Sequence, residues 1–464
     1  MINKLFKILL ILAIIITILW GFSDSYSSHT IDNIVHVVAI GIDNCDDGDE
    51  NIKVSFQFVN VSSSEGEGSS GGKSSTVVTS INANSLNKAI NLMNSYIGKE
   101  LNFSHCKVIV FSEDFAKEGI STEIYTLINN EEFRPSTNII ISTSDANSYL
   151  KNANPNIEKL VTNYYDTFEL TSNFTGYSDD ITLGKFYNNL FTSSKTNTAI
   201  LGRTFKKASD SDDSSKGGGQ SSSAENSSQE EQEASSESSF QSKQGEPQSS
   251  SKKNSSSGNS ESGQSSGGNN TENDSGGASL EISGQRGTQN VGIAVFKEDK
   301  YIGQLSEIES ICHLLVTNNV DSFVLSIPME GYPDNLLDLN ISSVRGSTIK
   351  VSTFSDSPSI YIKVYCEAKV LTIGENFNYS NSEVLKGLSV HAENYLKENI
   401  ENYLNKTSKE LNSDIAGFSQ HAIPNFLTIS NWDNYNWVYK YSNANFTVNV
   451  DLDITSSLLF SGAQ

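Results

Sequence analysis

Residues 34–43 read IVHVVAIGID, an apolar run that is typical of a β-strand. It follows an apolar N-terminal segment that ends in LWGF at residues 19–22. Residues 8–22 carry no charge, and Lys4 and Lys7 precede them. Because basic residues before an apolar helix stay in the cytoplasm, the rest of the chain is expected to face outwards.

The apolar segment, residues 1–23, is predicted to be an uncleaved membrane anchor. Residues 8–20 contain ten Leu or Ile, which at roughly −0.3 to −0.6 kcal/mol each supply about −3 to −6 kcal/mol towards insertion. A cleaved secretory signal is the alternative, since the length and the basic start suit both, although no A-x-A cleavage pattern follows. The predicted anchor residues are Ile8, Leu12, Ile16, Leu19 and Trp20.

The end of this segment resembles a bacterial lipoprotein box, L-x-G-C, in degenerate form. Leu19 and Gly21 match the box, but Phe22 stands at the position of the cysteine that would be acylated. A phenyl ring has no thiol, so Phe22 cannot be acylated as the cysteine of the box is.

Composition limits the class of partner. The 464 residues carry a net charge of −23, which argues against nucleic acid as a partner. The four cysteines are spread singly, so neither a disulfide framework nor a C-x-x-C metal or redox motif is indicated. The neighbours His105-Cys106 and Cys312-His313 are predicted to be packing residues.

Residues 207–287 are predicted to be a disordered linker rich in Ser, Gly, Glu and Gln, because they offer too little apolar surface to offset backbone ordering. They hold 6 basic and 13 acidic residues, so part of the acidity belongs to the linker. The folded parts on either side either separate or close the linker as a surface loop, and the sequence does not choose between these.

Residues 24–206 form a mixed α and β pattern. Helices are predicted after Asn84-Ser85, from Ser112 to Ile128, and after Pro155. Strands are predicted near 34–42, 51–61, 75–81, 105–111 and 137–143.

Residues 288–464 restart with a predicted hairpin at 291–303. A long helix with one apolar stripe is predicted over 382–411, and its stripe is expected to be core. The alternation at 444–459 predicts a closing strand. Further strands are predicted at 322–328, 348–354 and 359–373.

Several short blocks stand in a fixed order along the chain. They are LWGF (19–22), VAIGID (38–43), VSFQFVN (54–60), HCKVIV (105–110), FAKEGI (115–120), EEFRP (131–135), GIAVFK (292–297) with Lys300, Gly303 and Leu305, and SDIAGF (413–418) with Trp432. Taken together and in this order, the blocks resemble the Ger(x)C family, the C subunits of nutrient germinant receptors in bacterial endospores. The resemblance covers nearly all of the chain outside the linker, and the Ser-rich insertion and Phe22 are departures from the family pattern.

The resemblance implies a multidomain α+β ectodomain of about three domains with mainly antiparallel or mixed sheets, on the outer face of the spore inner membrane. It implies a non-enzymatic subunit that assembles with an A subunit and a permease-like B subunit, and a small-molecule germinant bound by a partner subunit. No cofactor is implied.

Enzymatic and metal-binding chemistry is not indicated by the residues. The six histidines lack H-x-x-x-H or H-E-x-x-H spacing. The acidic cluster of Asp43, Asp46, Asp47, Asp49 and Glu50 is expected to be a solvated turn, since no bidentate Glu closes an EF-hand loop. Residues 66–72 are expected to be a flexible connection, because no Lys-Ser/Thr follows at P-loop spacing.

The alternative function is a membrane-tethered module that binds an extracytoplasmic solute or the cell wall. Its support is an aromatic alternation, Tyr435, Trp437, Tyr439 and Tyr441, which would place four rings on one side of a strand. An extracytoplasmic hydrolase would need paired acids in a cleft, which the sequence does not reveal.

Overall fold

The computed structural model describes residues 2–21, 33–45, 51–59, 76–153, 158, 160–192, 196–205, 287–329, 332–372 and 382–455. Several sequence predictions fall outside these ranges: Phe22, the acidic positions 46–50, the Gly-rich residues 66–72 and residues 207–286 of the linker. The chain divides into one unit of Met1–Ala208 with Gly276–Gln464 and a second of Ser209–Ser275. All described residues belong to the first unit.

Within the described ranges, the first sheet has nine strands in the order β3-β2-β1-β5-β6-β7-β8-β9, with β4 paired to β1. Strands β1, β5, β6 and β7 run parallel, and the outer pairs are antiparallel. The strands are β1 Ile34–Asn44, β2 Ile52–Val59, β3 Thr76–Ala83, β4 Glu100–Asn102, β5 Val108–Ser112, β6 Asn138–Ser142, β7 Thr198–Thr204, β8 Thr288–Lys297 and β9 Lys300–Leu305.

The helices follow local capping chemistry. Ser85 accepts a hydrogen bond from the Lys88 N–H to start α2, and Gly98 ends it in the left-handed conformation. The helices are α1 Ile2–Gly21, α2 Leu86–Ile97, α3 Glu113–Glu118, α4 Ser121–Ile128, α5 Ala146–Asn152, α6 Val161–Asp166, α7 Phe168–Thr175, α8 Leu183–Leu190, α9 Glu307–Thr317, α10 Ser382–Asn405, α11 Phe418–Ala422, α12 Ile429–Tyr435 and α13 Trp437–Tyr441.

Both faces of the central strands of the first sheet are buried. On β5, Ile109 and Phe111 face a core that includes α2, α3, α4 and α8. Val108 and Val110 face a second core formed with α5, α6 and α7. Because parallel strands between two helical layers need apolar side chains on both faces, β5 is buried at every position.

The second sheet, as far as the structure describes the chain, has four strands in the order β10-β11-β12-β13. They are β10 Ser322–Met329, β11 Tyr332–Ser352, β12 Ser359–Thr372 and β13 Asn445–Thr455. The first three are antiparallel, and β13 is parallel to β12. Residues alternate between buried and more exposed along β12, because α9 and α10 supply the core on one face.

The side chains of α10 cover the free edge of β13. The N–H of Leu452 donates to Glu393 Oε1 at 3.0 Å, and the N–H of Ile454 donates to Ser389 Oγ at 3.2 Å. A π-helical turn, Lys406–Glu410, extends α10. The predicted long helix over 382–411 therefore forms, and its buried positions are core.

The α+β class with mixed sheets is confirmed, and several predicted elements need correction. The predicted helix from Ser112 to Ile128 breaks into α3 and α4 at Gly119, where φ is +118°. The predicted hairpin at 291–303 forms as β8 and β9, and both strands join the first sheet. Strands β4 and β7 were not predicted, because β4 is short and β7 lies after an irregular stretch.

Candidate functional site

The N-terminal helix α1 contains the predicted anchor residues. The side chains of Leu12 and Ile16 are 56% and 50% exposed, and neighbouring Leu and Ile side chains of this helix are exposed to similar extents. Ile8, Leu19, Trp20 and Gly21 also lie within α1, but their side chains are not among those that the structure describes. Within the described parts of the chain, no helix combines the length and the apolarity that crossing a membrane requires.

A buried carboxylate and a buried imidazole meet where two parts of the fold are in contact. The first sheet region is the first sheet with α2–α8, and the second sheet region is the second sheet with α9–α13. Asp179 precedes α8, and His313 lies on α9. His313 Nε2 lies 3.7 Å from Asp179 Oδ2, too far for a hydrogen bond but close enough for an electrostatic interaction. Thr198 Oγ1 donates to Asp179 Oδ2 at 2.8 Å, and His313 Nδ1 lies 2.8 Å from the Tyr403 hydroxyl.

The electrostatics of Asp179 follow from this geometry. Burial raises the pKa of Asp179, but His313, the Thr198 hydroxyl and Lys185 together outweigh burial, so the pKa lies below its ordinary value of 3.8. Asp179 is therefore a charged group that its neighbours hold in the interior. The interaction between Asp179 and His313, which are 134 positions apart in the sequence, therefore joins the two sheet regions.

A cleft of about 590 Å³ opens beside this pair. One wall comes from residues around α8 in the first sheet region, and the opposite wall comes from the end of α9, from β11 and from α11. Neutral polar side chains of Asn, Gln, Ser and Thr are the largest group in its lining. They include Asn188, Asn189, Thr196, Asn319 and Gln420.

Asp414 organises the neighbouring segment. Its carboxylate accepts hydrogen bonds from the N–H groups of Phe418 and Ser419 at 2.9 and 2.8 Å and from Trp437 Nε1 at 2.9 Å. Gly417, with φ +72°, makes the turn that brings these N–H groups to the carboxylate. Burial raises the pKa of Asp414, even though these hydrogen bonds lower it.

A smaller cleft of about 310 Å³ adjoins the first and shares Asn189 and Thr196 with it. Trp437 and Tyr441 form part of its lining. Among the described residues, the buried Oγ1 of Thr196 has no hydrogen-bond partner. The two clefts therefore lie next to each other along the junction between the two sheet regions.

Two predictions made from the sequence, one for Asp43 and one for the aromatic residues at 435–441, are wrong. Asp43 is buried rather than solvated: it accepts hydrogen bonds from the N–H groups of Ala146 and Asn147 at 2.6 and 3.1 Å, which caps α5 from a neighbouring strand. The aromatic residues at 435–441 lie on two helices and not on a strand. Tyr435 ends α12, and the other three rings lie on α13, which Asn436 separates from α12 with φ +53°. Trp437 and Tyr441 are buried while Tyr439 is exposed, so the four rings do not form one stacking face.

Sequence reasoning treated His313 as a packing residue. Its burial agrees with that prediction, but its interaction with Asp179 was missed because Asp179 is distant in sequence and lacks a motif. The cleft was also missed, since its walls come from five separate segments. The SDIAGF block at 413–418 was the one signal that pointed to this part of the molecule.

Other candidate chemistry is sparse. No group of three His, Cys, Asp or Glu side chains in the described ranges is placed to hold a metal ion. The four cysteines, all within those ranges, form no disulfide. Cys312 lies beside His313 but is buried, and burial raises the pKa of its thiol, which disfavours the reactive thiolate form.

Comparison with known proteins gives the class and then the family. Residues 27–203 match the model of the spore germination protein N-terminal domain, and residues 291–457 match the model described as spore germination B3/GerAC like, C-terminal. The two models lie on either side of the Ser-rich segment, in family order, which defines a spore germination protein. The chain belongs to the Ger(x)C family of germinant receptor proteins.

A similar solved structure is the crystal structure of the GerBC protein. It is 15% identical, with a TM-score of 0.48, and the match covers 90% of this chain and 98% of that chain. A search of curated proteins finds no match.

Proposed function

We propose that this chain is a non-enzymatic C subunit of a spore nutrient germinant receptor, needed for receptor assembly and for germination signalling. The observation that carries the proposal is the match of both family domains, in order, along one chain. Its partners are an A subunit and a B subunit, both integral membrane proteins, and a partner subunit binds the nutrient.

The proposed location is the outer face of the spore inner membrane, with α1 as an uncleaved anchor. Lys4 and Lys7 before the apolar run support this orientation. The exposed apolar side chains of α1, Leu12 and Ile16 among them, support burial in a bilayer, because contiguous apolar surface is unfavourable in water.

The receptor proposal is tested with spores that lack this chain. We expect loss of germination in response to one nutrient class, while a trigger that bypasses the receptors still works. Normal responses to every nutrient, in a strain that also lacks all paralogues, would contradict the proposal. A defect with the bypass trigger as well would instead indicate a general role in the wall or membrane.

The anchor is tested separately with the double variant Leu12→Asp/Ile16→Asp. Each central Asp opposes insertion by roughly 2.5 to 3.5 kcal/mol, so the variant is expected to leave the membrane fraction. Leu12→Ile/Ile16→Leu is the matched control and should stay membrane-bound. Retention of the Asp variant, or release of mature protein that lacks residues 1–23, would overturn the anchor.

A further inference from the structure

We infer that the cleft of about 590 Å³ between the two sheet regions is a binding site for a small, neutral, polyhydroxylated molecule. This inference goes beyond the receptor role proposed above, because that role places the nutrient on a partner subunit. It does not depend on that role, since it rests on the lining of this chain's own cleft.

The cleft has the size and construction of a ligand site. Its volume lies within the range of about 300 to 1,000 Å³ that small-molecule sites occupy. Its walls come from separate segments of both sheet regions, so it lies at a junction of the kind where ligand sites are common. It has room for a monosaccharide.

The lining offers hydrogen-bonding groups that the fold does not use. The side-chain amides of Asn188, Asn189, Asn319 and Gln420 belong to exposed or half-exposed residues that line the cleft, and they make no hydrogen bond to another described residue. The buried hydroxyl of Thr196 likewise has no partner among the described residues. Each amide both donates and accepts, and so does each hydroxyl of a polyol, which makes the two chemically complementary.

The Asp and Lys side chains that line the cleft already have partners within the protein. Lys185 Nζ pairs with Asp180 Oδ2 at 2.8 Å, and Asp179 interacts with His313. Because Lys185 already has Asp180 as its partner, an anionic ligand would compete with that carboxylate for the lysine, whereas a neutral ligand needs no charged partner. This comparison favours a neutral polyol over an amino acid or a phosphate compound.

The same sugar chemistry has two sources, a free sugar or the end of a wall glycan strand. Glucose represents the first source, and a soluble N-acetylglucosamine oligomer represents the second. Binding of glucose alone would assign a free sugar, and preferential binding of the oligomer would assign a glycan end. Both results support the site, because both probes present the hydroxyl groups that the amides match.

The test uses the full chain in a detergent without a sugar headgroup, with binding measured by saturation-transfer NMR and titration calorimetry. We expect glucose or the oligomer to bind, with alanine and inorganic phosphate as probes that should bind far more weakly. Asn188→Ala and Gln420→Ala remove one amide from each wall, and each should weaken binding about five- to tenfold, the loss expected for one hydrogen bond.

Asn91→Ala is the matched control, because Asn91 is an exposed amide on α2, outside the cleft. It should leave binding unchanged, and all three variants should keep the melting temperature of the unmodified chain. Absence of binding by both sugar probes at millimolar concentration would overturn the inference. So would equal binding of alanine, or sugar binding that Asn188→Ala and Gln420→Ala leave unchanged.

Discussion

The first sheet region and the second bury their strands in different ways. In the first, β5 and β6 lie between two helical layers, and adjacent residues on each strand face opposite cores. In the second, helices cover one face, so β12 alternates between buried and more exposed positions. The difference shows that the number of covered faces sets how much of a strand must be apolar. Pairing direction does not decide it, since β2 is antiparallel and largely buried, whereas β13 is parallel to β12 and alternates.

Each region also caps a helix with a buried aspartate, but over different distances. Asp414 caps the start of α11 from four residues away. Asp43 on β1 caps α5 from 103 residues away. The same chemistry is therefore local in the second region and tertiary in the first.

Core truncation should give the largest effect and test two-sided burial directly. Ile109→Ala and Ile140→Ala lie on opposite faces of the first sheet, and each should lower the free energy of unfolding by about 2 to 5 kcal/mol. In the second sheet, Ile362→Ala should cost a similar amount, whereas Glu367→Ala on the exposed face should stay within about 0.5 kcal/mol.

Chemical denaturation of the four variants measures these values. If either Ile109→Ala or Ile140→Ala proved neutral, one helical layer would not be packed on the first sheet, and the contrast between the sheets would fail.

Removal of the two capping aspartates should have the next largest effect. Asp414→Ala leaves three buried donors without an acceptor and should cost roughly 3 kcal/mol, while Asp43→Ala leaves two and should cost roughly 2 kcal/mol. Ser85→Ala removes an ordinary exposed cap and should cost only about 1 kcal/mol. Equal costs for all three, measured by urea titration, would show that burial of the cap is irrelevant.

The residues that join the two regions should give smaller changes. Thr198→Val removes the hydroxyl that donates to Asp179, and Tyr403→Phe removes the hydroxyl beside His313. Each keeps the side-chain shape, so we expect losses of about 1 to 2 kcal/mol. Calorimetric melting checks this, and unchanged melting temperatures in both variants would indicate that this junction adds no stability.

The pH dependence should be the smallest and most specific contrast, with opposite signs for two aspartates. The native pKa of Asp179 is lowered, so its contribution to stability is present above pH 3.8 and is lost as the pH falls through the native pKa. The native pKa of Asp414 is raised, so its contribution is present below pH 3.8 and is lost as the pH rises through the native pKa.

Asp179→Asn and Asp414→Asn separate these two cases. The stability difference between the unmodified chain and Asp179→Asn should grow as the pH rises through the acid range, and the difference for Asp414→Asn should shift in the opposite direction. Denaturant titrations across that range measure both slopes, and slopes of the same sign would refute the assignment.

Much of the fold could be predicted from local pattern. Residues 34–43 predicted β1, Asn84-Ser85 predicted the start of α2, and the apolar stripe over 382–411 predicted α10, because each pattern is a property of neighbouring residues. The predictions were wrong where a single backbone angle decided the outcome. Gly119 and Asn436 break their segments with positive φ, which side-chain alternation does not reveal.

The candidate site was harder to predict, because it depends on which segments meet. Asp43 looked like one member of a solvated acidic run until the fold placed it against the start of α5. His313 looked like a packing residue until α9 was placed against Asp179. Neither contact is visible in spacing, since more than 100 residues separate the partners.

By itself, the sequence determined the family, the mixed α+β class and an apolar N-terminal helix, because order of blocks, periodicity and composition are read along the chain. Only the tertiary structure decided that β8 and β9 complete the first sheet beside β7, across a long intervening segment. It alone also decided that α8, α9 and α11 surround one cleft. Strand pairing and cleft walls join residues far apart in sequence, and their energy comes from contacts that local pattern does not specify.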